Sequence, residues 1–239
     1  MSFPERAVIL AGGKGTRLAP YTAVIPKPLM PVGDMPILEV VLRQLKKAGT
    51  RRVTIATGHL SHLIRTFFGD GRQFGLYIDY LVETKALGTA GPLAMLSDLT
   101  EPFLVMNGDV LTDLDYRKLW NFHDKNEALA TVATHHREVR VDFGVVVTNH
   151  NRLISNYIEK PTLPYQVSMG VYIFSPEVLR FVPKNRRFDF PQLVLTLLKA
   201  KKKVASFPFT GFWLDIGRGE DYAKAAQVFT AHPSRFLPK

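Results

Sequence analysis

The sequence contains no cysteine, which excludes disulfides and thiolate-ligated metal sites but identifies no compartment. It also has no hydrophobic run near the ~20 residues that a membrane span requires. The opening MSFPERAVIL lacks the apolar stretch of a secretion signal, so a cytoplasmic protein without a membrane partner is expected. Acidic residues are scarce relative to basic ones, 21 against 31, and the formal net charge is +10. A surplus of that sign points to anionic ligands or polyanionic surfaces. Several catalytic signatures are absent too. There is no G-x-S-x-G elbow, and the adjacent His135 and His136 lack the i,i+4 spacing of a metal pair.

What is present is a rhythm of apolar runs. RAVILA (6–11), RVTIATG (52–58), LYIDYLVE (76–83) and PFLVMNGD (102–109) read as strands. Between them PILEVVLRQLKKAG carries Leu38, Val41, Leu42 and Leu45 on one helical face, with Gly49 as its stop. SHLIRTFFGDG reads as a second helix, with Ser61 as N-cap and Gly69 as stop. This alternation argues for parallel βαβ units, whose ligands gather at the carboxyl ends of the strands. Beyond residue 127 the strands lengthen, at 128–136, 139–149 and 167–175, with few helices between them. A helix at 190–202, a strand at 204–209 and a helix at 220–232 close the pattern. With 239 residues, no repeat and no linker-like tract, one α/β domain over 1–239 is expected. It would divide into a first half, 1–115, and a substrate-facing second half, 116–239.

Chemistry concentrates at the ends of the early strands. AVILAGGKGTRL spends Gly12, Gly13 and Gly15 beside Lys14 and Arg17 directly after a buried run. Bare backbone N–H groups next to cations suit phosphate oxygens. The loop is neither a Walker A sequence nor a dinucleotide fingerprint, which would need glycine at Leu18. Five prolines in PYTAVIPKPLMPVGDMP surround Lys27. They predict an extended, stiffened, non-helical segment that holds Lys27 as a fixed point charge for a phosphate. Asp109 in VMNGDV and Asp215 in WLDIG are carboxylates placed to share one Mg²⁺. In YIEKP, Glu159 and Lys160 reach one ligand only if their strand ends there, as Pro161 implies. Glu83 closes a strand five positions before Gly88. A carboxylate only accepts hydrogen bonds, so Glu83 suits a partner rich in N–H groups.

The segments LAGGKGTRLAPYT, PKPLMPV, ETKALGTAG, NGD, EKP, GVYIF and WLDIG occur in that order. In this the chain resembles the sugar-1-phosphate nucleotidylyltransferases over about residues 6 to 225. LGTAGPL and FFGDGRQFGLYIDY make it similar to the mannose-1-phosphate and heptose-1-phosphate guanylyltransferases. The resemblance implies a Rossmann-like three-layer sandwich with a mixed, mostly parallel central sheet. It also implies a Mg²⁺-dependent reaction of a nucleoside triphosphate with a sugar 1-phosphate, giving a nucleotide sugar and pyrophosphate. On that pattern Arg17, Lys27 and Asp109 are catalytic, and Asp109 and Asp215 ligate Mg²⁺. Leu10, Ala11, Gly12, Gly13, Gly15 and Thr16 would hold the nucleotide, together with Glu83, Gly88 and Thr89. Asn107, Gly144, Glu159, Lys160, Ser168 and Gly170 would bind the sugar phosphate, with Gly144 admitting the sugar close to the backbone.

The chain departs from the family pattern at Ser168, where asparagine is frequent, and at Ala86, where proline is frequent. It is also expected to lack the left-handed β-helix extension of acyltransferase-fused relatives. GTP is expected first, with a uridylyl- or thymidylyltransferase acting on another hexose 1-phosphate as the alternative. Readings of another class are a non-catalytic nucleotide sensor and a basic nucleic-acid-binding protein. The latter would need a contiguous basic stripe with exposed aromatics, whereas Arg17 and Lys27 sit in Gly/Pro loops. No nucleic-acid partner is expected, and homo-oligomer formation is left open.

Overall fold

The strand-to-loop alternation is realised in a computed structural model that describes residues 3–237. Strand β1 (Arg6–Ala11) runs into three 3-10 turns, at Thr16–Leu18, Tyr21–Ala23 and Lys27–Leu29. A small hairpin follows, β2 (Pro31–Val32) with β3 (Met35–Pro36). Next come α1 (Ile37–Ala48), β4 (Arg52–Thr57), α2 (Ser61–Phe68), β5 (Tyr77–Val82), β6 (Phe103–Asn107), β7 (Val110–Thr112) and α3 (Tyr116–Asn126). The later part consists of β8 (Ala130–Arg140), β9 (Val145–Thr148), β10 (Ile154–Ile158), β11 (Thr162–Phe174), α4 (Phe190–Lys199), β12 (Val204–Phe209), β13 (Trp213–Asp215), α5 (Gly219–Ala231) and α6 (Pro233–Phe236).

Seven strands form the central sheet in the order β12-β8-β11-β6-β1-β4-β5. Only β11 runs against its neighbours; every other adjacent pair is parallel. Alternation along β1 sorts its side chains to opposite faces. Ala7 and Ile9 join the core under α1, α2 and α3, while Val8 joins the core around Phe174, Phe190 and Leu193 under α4. A third cluster packs Ile37 of α1 with Leu214, Phe229 and Phe236 beneath α5 and α6. The parallel strands β1, β4 and β6 therefore end on one edge, where their carboxyl-end loops meet.

Helix α1 follows its pattern closely. Leu38, Val41, Leu42 and Leu45 are fully buried, and Gly49 ends the helix at φ 118. Four features differ from the sequence reading. Ser61 opens α2 from inside, because left-handed Leu60 precedes it and no side chain caps the helix. The proline-rich segment is coiled rather than extended, since Pro28 sits in the first turn of a 3-10 helix that starts at Lys27. Helix α3 was not anticipated, although Tyr116, Leu119, Trp120 and His123 recur at helical spacing and Asp115 caps the Arg117 and Lys118 N–H groups. The run at 139–149 is divided between the end of β8 and β9, which pairs with β10 in a separate two-stranded sheet. Among the described residues no helix is long and apolar enough to cross a membrane.

His123 of α3 is 3% exposed, and its Nδ1 meets the Thr131 hydroxyl at 2.8 Å. Burial pushes the imidazole down to about 4 from its usual 6.5. The unfolded chain then binds the extra proton between those values, so stability falls as pH drops from 6.5 towards 4. The expected loss is of order 2 kcal/mol. Urea midpoints at pH 7.5 and 4.5 should differ less in His123→Gln than in the wild type.

Candidate active site

The glycine turn is shaped by its neighbours before any ligand is considered. Gly15 adopts φ 64, and a Cβ there would lie 2.9 Å from the Thr22 methyl, while the Thr22 hydroxyl donates to the Gly15 carbonyl at 2.8 Å. A side chain at Gly12 would strike Glu83 Oε1 at 2.7 Å, whereas Gly13 faces open space. Gly108 N–H donates to Leu10 O at 2.9 Å, which fastens the end of β6 to the end of β1. Two of the glycines thus meet internal demands, and the third leaves bare backbone facing solvent.

The antiparallel pair β7 and β13 brings the two candidate acids together, because Asp215 pairs with Val110 and Ile216 N–H donates to Asp109 O at 3.1 Å. Lys27 reaches between them, with an ion pair to Asp109 and a 3.3 Å hydrogen bond to Asp215 Oδ1. Lys27 and Asp109 are only 12% and 16% exposed, against 39% for Asp215. Burial pushes the Asp109 carboxyl above the usual range; the Lys27 ammonium pulls it back, and the Asp215 charge pushes it further up. Arg17 belongs to the same group. A Cβ on Gly217 would lie 2.8 Å from both its guanidinium and Asp215 Oδ1.

This donor set fits Mg²⁺. Two carboxylates already converge on one cationic group, and Mg²⁺ is commonly held by one or two carboxylates plus phosphate oxygens and water. Among the described residues no cluster of three or more acids and histidines competes with it.

A cavity of about 540 Å³ opens over these groups. Leu10, Ala11, Gly12, Gly13, Gly15 and Thr16 line it, together with Arg17, Lys27, Asn107, Asp109 and Asp215. Glu83, Gly88 and Thr89 line it as well. Glu83 is half-buried; burial raises its carboxyl, opposed by the Leu87 N–H that donates to Oε2 at 2.9 Å. Sequence reasoning missed His59, Lys85, Arg187 and Asp189, which line the same cavity. His59 and Lys85 directly follow a strand-end loop and were detectable on that ground. Arg187 and Asp189 carried no signal, for they enter from the start of α4.

The residues expected to bind the sugar phosphate are placed differently. Gly144, Glu159 and Lys160 belong to the β9–β10 region and are not part of the cavity wall. The space at Gly144 is filled by Tyr157, whose ring and hydroxyl a Cβ would strike, so it is not an open approach for a sugar. Strand β10 does end at Ile158, as the Glu159–Lys160 reading required. Both side chains are more than half exposed, however, and face each other at 3.8 Å. The Ser168 hydroxyl is engaged with the Tyr172 hydroxyl at 3.0 Å, which leaves it less free for a sugar. Gly170, at φ 71, packs directly against the Asn107 amide.

Residues 6–232 match the family model described as nucleotidyl transferase. The chain belongs to the nucleotidyl transferase family. It is 35% identical to the UTP–glucose-1-phosphate uridylyltransferase of Synechocystis sp. over 92% of this chain and 62% of that one. It is 31% identical to the mannose-1-phosphate guanyltransferase of Yarrowia lipolytica over 98% of this chain and 66% of that one. This nucleotidyl transferase chain therefore spans a little under two thirds of the length of these relatives. Among solved structures it superimposes on a putative glucose-1-phosphate thymidylyltransferase from Bacillus anthracis with a TM-score of 0.76 and 27% identity, covering 93% of this chain and 94% of that one. The mixed, mostly parallel α/β sheet is thus the family's fold.

Proposed function

We propose that the protein transfers a nucleotidyl group from a nucleoside triphosphate to a sugar 1-phosphate, with GTP and mannose 1-phosphate or a manno-heptose 1-phosphate as its substrates. The observation that carries this reading is the Lys27–Asp109–Asp215 cluster beside the bare glycine turn. A sugar phosphate oxygen attacks the α-phosphorus, the bond to the bridging oxygen breaks, and pyrophosphate leaves with the electron pair. No covalent enzyme intermediate is needed, so catalysis is positioning and neutralisation of charge. The backbone N–H groups of Gly12, Gly13 and Gly15 cradle the triphosphate. Arg17 faces the departing pyrophosphate, and Lys27 bridges the α-phosphate and the incoming phosphate. Bound between Asp109 and Asp215, Mg²⁺ would supply charge neutralisation at the phosphate oxygens. Asn107, at the end of β6, is placed to meet the sugar phosphate, with Gly170 packed behind its amide.

The names of the relatives carry three different bases, so the choice of GTP rests on Glu83. Its Oε2 is committed to Leu87, and among the described residues Oε1 has no hydrogen-bond donor. An acceptor in that position favours guanine, which offers two adjacent donors, over uracil or thymine with one. Facing acceptors disfavour cytosine by about ten- to a hundredfold. A second reading, UTP with glucose 1-phosphate, is favoured by the 35% identical relative. Pyrophosphate release from GTP, UTP, dTTP and CTP with each sugar phosphate and Mg²⁺ decides between them. GTP should rank first and CTP last, and Glu83→Gln should narrow the lead of GTP because an amide donates as well as accepts. A CTP preference, or an unchanged ranking in the variant, overturns the role of Glu83.

A further inference from the structure

One carboxylate from the second half of the chain holds the loop that lines the nucleotide side of the cavity. Asp189 Oδ1 accepts the Thr89 N–H at 2.8 Å and lies 3.3 Å from the Thr89 hydroxyl. That hydroxyl in turn accepts the Phe190 N–H at 2.9 Å. Backbone bonds continue the seam, with Phe188 N–H donating to Leu87 O at 2.8 Å and the Ala90 and Gly91 N–H groups donating to Phe188 O. There is no slack at the centre. Gly88 sits at φ 80, where a Cβ would lie 2.6 Å from Asp189 Oδ1 and 2.7 Å from Phe188 O. Asp189 is also the N-cap of α4 in a capping box, its backbone N–H donating to Gln192 Oε1 at 2.9 Å.

We propose that Asp189 is a positioning residue for the nucleotide, fixing residues 87–91 by its hydrogen bond to Thr89 so that the N-terminal end of α4 sets nucleoside triphosphate affinity. The proposal rests on the reading that this loop meets the nucleotide. The physical reason is preorganisation. A loop already held in its binding conformation does not have to be ordered when the ligand arrives. The hydrogen bond has a charged acceptor, so it is stronger than a neutral one. Its neighbours on the other side are also tied, since Leu87 is held by Glu83. Removing the Asp189–Thr89 bond therefore loosens the middle of a loop whose ends stay anchored, with Thr89 then held only through its hydroxyl by the Phe190 N–H. Loosening of this kind weakens binding without removing any group that touches the reacting phosphates.

Three variants separate this role from simple capping of α4. Asp189→Ala removes both the Thr89 bond and the cap. Asp189→Asn keeps an acceptor oxygen, and Gln192→Ala removes the other half of the capping box without touching Thr89. Asp189→Ala should raise the KM for the nucleoside triphosphate about tenfold, with kcat and the sugar phosphate KM each within about twofold. Asp189→Asn should restore most of the affinity, and Gln192→Ala should leave the nucleotide KM near the wild-type value. In the protein without nucleotide, hydrogen exchange should quicken at residues 87–91 in Asp189→Ala and not in Gln192→Ala. The proposal is overturned if Asp189→Asn is as impaired as Asp189→Ala, if Gln192→Ala reproduces the defect, if both substrates lose affinity in parallel, or if the loop stays protected. A wild-type protein that turns over no nucleoside triphosphate defeats the functional reading instead, and the exchange measurement still reports on the clamp.

Discussion

Asp109→Asn and Asp215→Asn should each lower pyrophosphate release by at least about a thousandfold while the protein stays folded. Each substitution removes one of the two charges that converge on the Lys27 position. An amide of nearly the same shape keeps the surrounding packing. The two variants should differ in stability. Asp109 is the more buried, and burial already pushes its carboxyl towards the neutral form, so a neutral amide there relieves an unfavourable charge while it weakens the pair with Lys27. Asp215 is more open to solvent, and its replacement should move Tm little. Steady-state assays with Mg²⁺, alongside thermal melts, check both statements. Near-normal turnover in either variant would remove that acid from the proposed metal site. Mn²⁺ binding, followed by proton relaxation, should weaken in both.

Lys27→Ala is the second large effect, and it should fall on kcat more than on KM. The ammonium is held against two acids by a proline-flanked 3-10 turn. Its charge is worth most in the transition state, as negative charge moves from the attacking phosphate oxygen to the leaving pyrophosphate. A decrease of about a hundredfold or more in kcat, with KM changing severalfold, is the expected pattern. An effect confined to KM would reduce Lys27 to ground-state binding. The same variant has an opposite consequence for the free protein. With the internal cation gone, Asp109 and Asp215 face each other uncompensated, so Mn²⁺ without nucleotide should bind more tightly than in the wild type. Stability in chelator should fall, because a largely buried acid has lost its partner.

The grouping of these residues around one cavity could be read from sequence because they sit where ligands gather in parallel sheets. Gly12 to Arg17 follow β1, Asn107 ends β6 with Asp109 just beyond it, and Glu83 follows β5. The convergence of Asp109 and Asp215 rests on the pairing of two three-residue strands, too short to show periodicity, so their common role could be anticipated only from residue type. The residues expected to bind the sugar phosphate were less legible. Gly144, Glu159 and Lys160 lie in or beside a hairpin outside the main sheet, and no strand-end rule locates such a hairpin. The glycine expected to admit a ligand instead makes room for Tyr157. Asp189 was hidden for another reason. Its partner Thr89 lies 100 residues away, and a capping aspartate looks the same whether or not it also holds a distant loop. Helix α3 shows the opposite case, since its apolar spacing and its Asp115 cap were both visible in the sequence.

The single reversed strand has a consequence for how the chain reaches this structure. Val171 of β11 pairs with Met106 of β6, and Tyr172 pairs with both Val105 and Val132. Until β11 arrives, β6 and β8 each present an unpaired edge in the middle of the future sheet. A nascent chain that has emerged only as far as β10 can assemble β1, β4, β5 and β6, but it carries an open apolar strand that would accept a strand from another molecule. Completing the sheet requires closure of a long loop, and contacts of that range slow folding. Aggregation during synthesis should therefore be set by the delay before residues 162–174 insert, and a chaperone that shields the β6 edge would raise the yield of folded protein more than one that binds α5 or α6.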